Sequence, residues 1–318
     1  MKFWIRLGVS VAVLGALLLW VPWHEVGTAI GSMPPSVWAL VLIGFLAGHT
    51  LGAMKWRLLV NAGRSMLPRL EAIRCYAAGL FANMCLPSIV GGDVLRAVLA
   101  GKVTGRPEAI VLGGIADRVI DTATMAVLVA VGGFFVRDSL HGLGVQVLMA
   151  ALFIGAAVGV ICLPILVRRP LRRWPRKIRR PVGRAFVALR RMATRPSAAV
   201  LAVAISLTVQ SGFVLLNAWI GHSIGLTVPL GAWFVAWSLA KLAGLLPISL
   251  GGLGVRDATL AALLVPFGVP MAYGVVTSLI WQSVLIAGGL VGGAVWWLLG
   301  RRSALSQSTK PIAVPAAR

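Results

Sequence analysis

The 318-residue chain is short of acid: it holds 8 Asp and Glu against 30 Lys and Arg, a formal net charge of +22. Charged residues of either sign make up only 12% of it, about half of the roughly 25% usual in soluble domains. Apolar residues make up 59%, where about 45–50% is usual. With a mean hydropathy of +0.93, too little polar surface remains to clothe a soluble globule. The excess of base is therefore not read as a nucleic-acid footprint. Cysteine is scarce as well. Cys75, Cys85 and Cys162 are odd in number, lie in apolar stretches and show no C-x-x-C spacing. A disulfide framework and a zinc site are excluded on that ground. The histidines His24, His49, His141 and His222 are dispersed, so no metal or other cofactor is expected. Short alternating segments, the mark of a membrane β-barrel, are missing too.

What the chain has instead is apolar runs long enough to cross about 30 Å of hydrocarbon, at residues 5–23, 36–54, 108–136, 144–167, 197–221 and 271–299. Lys2 and Arg6 precede the first run, but no small-residue cleavage site follows Trp20-Val21-Pro22-Trp23, so it reads as a retained helix. Residues 168–196 carry 12 Lys and Arg and no acid, which assigns this loop to the cytoplasm. The stretch from Lys55-Trp56-Arg57 to Arg74 and the end of the chain (Arg301, Arg302, Lys310, Arg318) are also basic. Residues 24–35, 137–143 and 222–230 share one basic residue, Arg137. Six spans starting inside satisfy all of these assignments. They put the protein in the inner (plasma) membrane with both termini cytoplasmic. Within 180–195, Arg180, Arg184, Arg191 and Arg195 share one helical face, with Val182, Phe186 and Leu189 opposite. That pattern suits a helix lying on anionic lipid or a solvated loop that only sets topology.

Two segments do not fit as simple spans. Residues 71–105 begin and end near cytoplasmic basic residues, and their first half, about 72–86, is too short to cross. Residues 231–266 start and finish on the outer side. Both read as re-entrant helical hairpins, whose broken backbone is tolerated only where protein or water covers it. Their tips match. Leu86-Pro87-Ser88-Ile89-Val90-Gly91-Gly92-Asp93-Val94-Leu95-Arg96 and Leu246-Pro247-Ile248-Ser249-Leu250-Gly251-Gly252-Leu253-Gly254-Val255-Arg256 both read L-P-x3-G-G-x3-R, 160 residues apart. One lies in a hairpin entering from inside and the other in one entering from outside. The halves at about 36–136 and 197–299 would thus form an inverted-topology repeat, and interrupted segments at equivalent places point to a transporter's central site.

Pro87 and Pro247 each stop a helix, and Gly91-Gly92 and Gly251-Gly252 permit a sharp reversal. The returning helix then starts with free N–H groups at its positive end, with Arg96 or Arg256 about one turn further on. Such a set suits an anionic group such as a lipid phosphate. Of the eight acids, Asp93, Asp117, Asp121 and Asp257 lie in apolar context, where charge is costly and usually functional or paired. Asp117 and Asp121 share a helix face, and Arg118 can pair with Asp121. Asp93 with Arg96 and Asp257 with Arg256 give each hairpin an acid–base couple. These groups are either internal salt bridges or the lining of a polar cavity in which an Asp could carry a coupling proton. Lys241 would be a further cation there, and Asn83 and Ser249 further hydrogen-bond donors. Trp56, Tyr76 and the tryptophans in general read as structural, with Trp20, Trp23, Trp296 and Trp297 in an aromatic belt at span ends.

The run Asn83, Leu86-Pro87, Gly91-Gly92-Asp93, Arg96, then Asp117-Arg118 and Asp121, then Pro247 and Gly251-Gly252-Leu253-Gly254-Val255-Arg256-Asp257 resembles the transmembrane domain of lysylphosphatidylglycerol synthases. Stand-alone members are described as flippase-like. Ser88-Ile89-Val90 stands where that pattern commonly has Pro-Gly, and Asp257 where it commonly has Glu. The synthases carry a further soluble catalytic domain, for which the residues after 300 leave no room. The resemblance thus implies lipid translocation and not lipid aminoacylation. The expectation is an all-α polytopic membrane protein with one transmembrane domain over 1–300 and a disordered tail over 301–318. It would have six spans and two hairpins, moving an anionic lipid of the phospholipid or polyprenyl-phosphate kind and binding no nucleic acid. An intramembrane enzyme acting on a lipid carrier and a small-ion or metabolite carrier are the alternatives.

Overall fold

The computed structural model describes residues 27–28, 31, 33–85, 91–136, 196–245 and 254–308. Among the described residues the regular elements are all helical. They are α1 (Pro35–Ala62), α2 (Arg69–Cys85), α3 (Gly91–Thr104), α4 (Pro107–Phe135), α5 (Pro196–Ser223), α6 (Leu230–Gly244), α7 (Val255–Leu264) with a 3-10 turn at Val265–Phe267, and α8 (Met271–Ser308). Proline opens α1 and α4, where its missing N–H would have had no helical partner.

Four stretches, Pro35–Ala62, Pro107–Phe135, Pro196–Ser223 and Met271–Arg301, are long and apolar enough to cross a membrane. They coincide with the spans expected at 36–54, 108–136, 197–221 and 271–299. The spans expected at 5–23 and 144–167 lie outside the described residues. So do the basic segment before Pro196, Pro87, Ser88, Pro247, Ser249, Gly251 and Gly252.

The segments 71–105 and 231–266 each fold as two short helices. Helices α2 and α3 have 17 and 14 residues, and α6 and α7 have 15 and 10. All four are shorter than the about 20 residues a full crossing needs. The Asn83 side-chain carbonyl accepts the Gly92 N–H at 2.9 Å, tying α2 to the first turn of α3. In the other pair, Gly254 has φ +80°, a conformation that favours glycine. Its N–H donates to the Asp257 carboxylate at 3.1 Å and so caps α7.

The main helix packing has an internal correspondence. Helix α1 packs on α2 as α5 does on α6, α2 on α3 as α6 on α7, α3 on α4 as α7 on α8, and α1 on α4 as α5 on α8. Between the halves α2 lies on α8 as α6 lies on α4, α4 on α5 as α8 on α1, and α1 on α5. Exchanging each helix for its counterpart four places along leaves this set unchanged. Each short pair is thus clamped against the long helix of the other half. Small residues bring those backbones together, as is usual between membrane helices. A Cβ on Gly132 would sit 2.7 Å from the Gly231 carbonyl, and one on Gly292 would sit 2.9 Å from the Ala77 carbonyl. The pairs Gly132-Gly133 and Gly292-Gly293 stand at the same 160-residue offset as the hairpin motifs.

Besides a small group of Val129, Ala232, Val235 and Leu239 between α4 and α6, two apolar clusters lie around this junction. The larger includes Phe45, Phe213, Trp237 and Trp281 from α1, α5, α6 and α8. The smaller includes Trp56, Cys75, Ala100 and Ile110 from α1 to α4. Ile43, Phe135, Val200 and Leu290 face outward, as helices surrounded by hydrocarbon would have them.

Candidate functional site

The buried charges form one group on α1, α3 and α4, which Ser206 of α5 reaches from the other half, and a second on α7. Arg96, one turn into α3, is 5% exposed. Its guanidinium pairs with Asp93 at 3.1 Å and with Asp117 of α4 at 3.0 Å. The expected Asp93–Arg96 couple is present, and Asp117 joins it. Arg118 donates from Nε to Asp93 at 2.6 Å, so α3 is fastened to α4 by two arginines sharing one carboxylate. The expected pairing of Arg118 with Asp121 does not form. The two side chains leave α4 in different directions, because tertiary partners outweigh a weak within-helix pair.

Asp121 turns inward to Lys55. Lys55 also lies 3.0 Å from Asp117, so the two acids do share a face and one ammonium bridges them. That lysine corrects the sequence reading, which placed it in a cytoplasmic basic flank. It is 3% exposed, because α1 continues to Ala62 and turns this position toward α4. Ser206 of α5 donates to Asp121 at 2.6 Å and meets the Thr124 hydroxyl at 2.9 Å.

The second half is built differently. Arg256, the second residue of α7, pairs with Asp257 at 2.9 Å and donates to the Gln282 side chain at 2.8 Å. Asp257 also accepts from the Ser278 hydroxyl. Where Arg96 finds a carboxylate on α4, Arg256 thus finds the uncharged Gln282 on α8. Lys241, near the C-terminal end of α6, donates to Gln210 of α5 at 2.8 Å. Its ammonium lies 5.1 Å from the centre of the Phe213 ring.

A row of rings runs from the Arg96 network past Lys241 into the second half. Trp56 and Tyr76 are 6.4 Å apart between centroids, Tyr76 and His49 6.0 Å, and His49 and Phe213 5.3 Å. The row continues from Phe213 to Trp281 at 5.9 Å and from Trp281 to Trp237 at 5.0 Å. At one end the Arg96 guanidinium lies 5.1 Å from the Trp56 ring and 5.0 Å from the Tyr76 ring. Lys241 stands over Phe213, further along the row. Trp56 and Tyr76 therefore sit at the polar centre, and His49, to which sequence reading gave no role, lies midway. His49, Tyr76, Asp121 and Lys241 are half-buried.

Of the residues singled out from sequence, the structure brings Asn83, Gly92, Asp93, Arg96, Asp117, Arg118 and Asp121 into one network. Gly91 opens α3 beside it. Arg256 and Asp257 form a separate couple, and Lys241 is in contact with neither. Lys55, His49, Ser206 and Gln210 were missed. Ser206, Gln210 and Asn217 recur at spacings of four and seven in a mostly apolar helix and are buried on one face. That polar stripe was the available signal.

A model of the lysylphosphatidylglycerol synthase TM region matches residues 3–293. The chain belongs to that family. Comparison with curated proteins and with solved structures gives no match. The TM-region match takes in both halves and both charge groups, and no other domain is matched.

Proposed function

We propose that this member of the lysylphosphatidylglycerol synthase TM region family moves an anionic lipid between the leaflets of the inner membrane. The headgroup would pass through a polar site between the two halves. The observation that carries this reading is the set of buried ion pairs on α1, α3 and α4 in one half and on α7 in the other. An ionised side chain at membrane depth costs at least about 2.5–3.5 kcal/mol on insertion scales. Well-packed apolar residues often stabilise as well as a buried pair does, so packing alone gives no reason to keep so many. The repeated packing pattern and the 160-residue offset support a repeat of two halves. On the charge of the loops we take the halves as opposite in topology, with 71–105 and 231–266 as re-entrant hairpins and the termini cytoplasmic.

In this mechanism the lipid phosphate competes with carboxylates. Arg96 exchanges Asp93 or Asp117 for a phosphate oxygen, and Arg256 exchanges Asp257. The released acids are then free to take a proton or to hold the other half. Each exchange replaces one charged pair by another, so a headgroup crosses without leaving a bare charge in a medium of low dielectric. The aromatic row gives the glycerol region an apolar flank.

The test is transbilayer movement of a fluorescent phosphatidylglycerol in sealed vesicles, read by dithionite quenching. The unmodified chain should speed exchange between leaflets, and Arg96→Ala with Arg256→Ala should abolish the gain. Normal movement with the double variant would sink the proposal. An enzyme acting on a lipid carrier would instead form product in detergent, with no need of a sealed bilayer.

A further inference from the structure

The charges at the junction do not balance. The cations are Lys55, Arg96, Arg118, Lys241 and Arg256, and the carboxylates are Asp93, Asp117, Asp121 and Asp257. Four of those cations have a carboxylate partner. Lys241 has no carboxylate pairing among the described residues. Its contacts are the neutral Gln210 amide and the face of Phe213. An ammonium so placed lacks the counter-charge that buried ions ordinarily have.

A second group nearby is also short of a partner. The indole N–H of Trp237 is buried and has no acceptor among the described residues, and an indole can only donate. Trp237 and Lys241 are four residues apart and so neighbours on one face of α6. Both touch the same ring pair, Trp237 through Trp281 and Lys241 through Phe213. One face of α6 thus carries two donors and one positive charge: the half-buried Lys241 is open to a ligand, and the indole nitrogen of Trp237 lies closed off and unpartnered behind it.

We infer that Lys241 and Trp237 form a receptor for one singly charged phosphodiester, each donor taking one of its two non-bridging oxygens. The inference rests on the lipid-translocation reading and narrows its substrate class. A monoanion brings the junction to formal neutrality. A phosphomonoester, with a charge of about −1.5 to −2 at neutral pH, overshoots it. Arg96 and Arg256 already hold carboxylates, so the diester meets Lys241 first and the arginines only by exchange.

The experiment titrates the purified full-length protein by native mass spectrometry. The probes are dihexanoyl phosphatidylglycerol, dihexanoyl phosphatidic acid and inorganic phosphate. The diester should bind more tightly than either of the others. Lys241→Met should weaken it by about tenfold or more, the usual scale for a charged hydrogen bond. Lys241→Arg should restore most of the loss, and Trp237→Phe should weaken binding by a smaller factor. Phosphatidic acid or free phosphate binding as tightly as the diester would overturn the inference, and that comparison needs no variant. Undiminished binding to Lys241→Met at an unchanged melting temperature would overturn it as well. Dithionite quenching with the same preparations separates the two readings. Selective binding without leaflet exchange leaves the receptor and removes translocation. Exchange with binding indifferent to Lys241 removes the receptor alone.

Discussion

Lys55 of α1 and Asp117 of α4 face each other at 3.0 Å, and both side chains are 4% exposed. The same ammonium reaches Asp121 one turn along α4. A single cation in the first long helix thus bridges two acids, Asp117, which Arg96 also holds, and Asp121, which has no other cation among the described residues. Desolvating any one of the three ions is costly, and only the assembled group recovers that cost.

Removing the cation should therefore do more harm than removing the whole group. Lys55→Met is expected to destabilise the protein by about 3–5 kcal/mol, the scale for a buried pair broken on one side. Adding Asp117→Asn and Asp121→Asn should recover part of it. Thermal melting of the three proteins in one detergent checks this, and a triple variant no more stable than the single one would count against it.

The α2–α3 pair depends on a backbone contact that no side chain can share. A Cβ at Gly92 would collide with the Gly79 carbonyl and the Asn83 amide, whereas one at Gly114 would meet nothing within 4 Å. Gly92→Ala should abolish folded expression. Gly114→Ala should be neutral or stabilise by up to about 1 kcal/mol through helix propensity. Size-exclusion profiles of the two variants decide the matter.

If the halves clamp one another in the same way, equivalent glycines should be equally intolerant. Gly132 meets α6 within 2.7 Å and Gly292 meets α2 within 2.9 Å of a built Cβ. Gly132→Val and Gly292→Val should lower the melting temperature by similar amounts. A large effect at one position and none at the other would speak against equivalent interfaces.

The end of α2 offers a probe of water at the junction. Cys85 is exposed, while Cys75 on the same helix is buried. With Cys162 changed to Ser, a membrane-impermeant maleimide should label Cys85 and spare Cys75. Absence of labelling at Cys85 in sealed bilayers, with labelling in denaturant, would place that helix end in lipid and not in a watered cavity.

The sequence by itself determined the class of molecule, four of its spans, the two interrupted segments between them and the 160-residue offset. These follow from properties that need no partner: the length of an apolar run, the poor fit of proline inside a helix, and the scarcity of acid that made Asp93, Asp117, Asp121 and Asp257 stand out. Only tertiary structure decided which charge meets which. Arg118 has Asp121 within reach on its own helix yet bonds to Asp93 on α3, because local pairs contribute only a few tenths of a kcal/mol. Lys55 looked like a flanking base until the crossing of α1 and α4 buried it. His49 had no pattern to betray it, since its place midway along the aromatic row is fixed by rings from α2 and α5 far away in sequence. The electrostatic strength of any such contact depends on how completely the other half removes water from it.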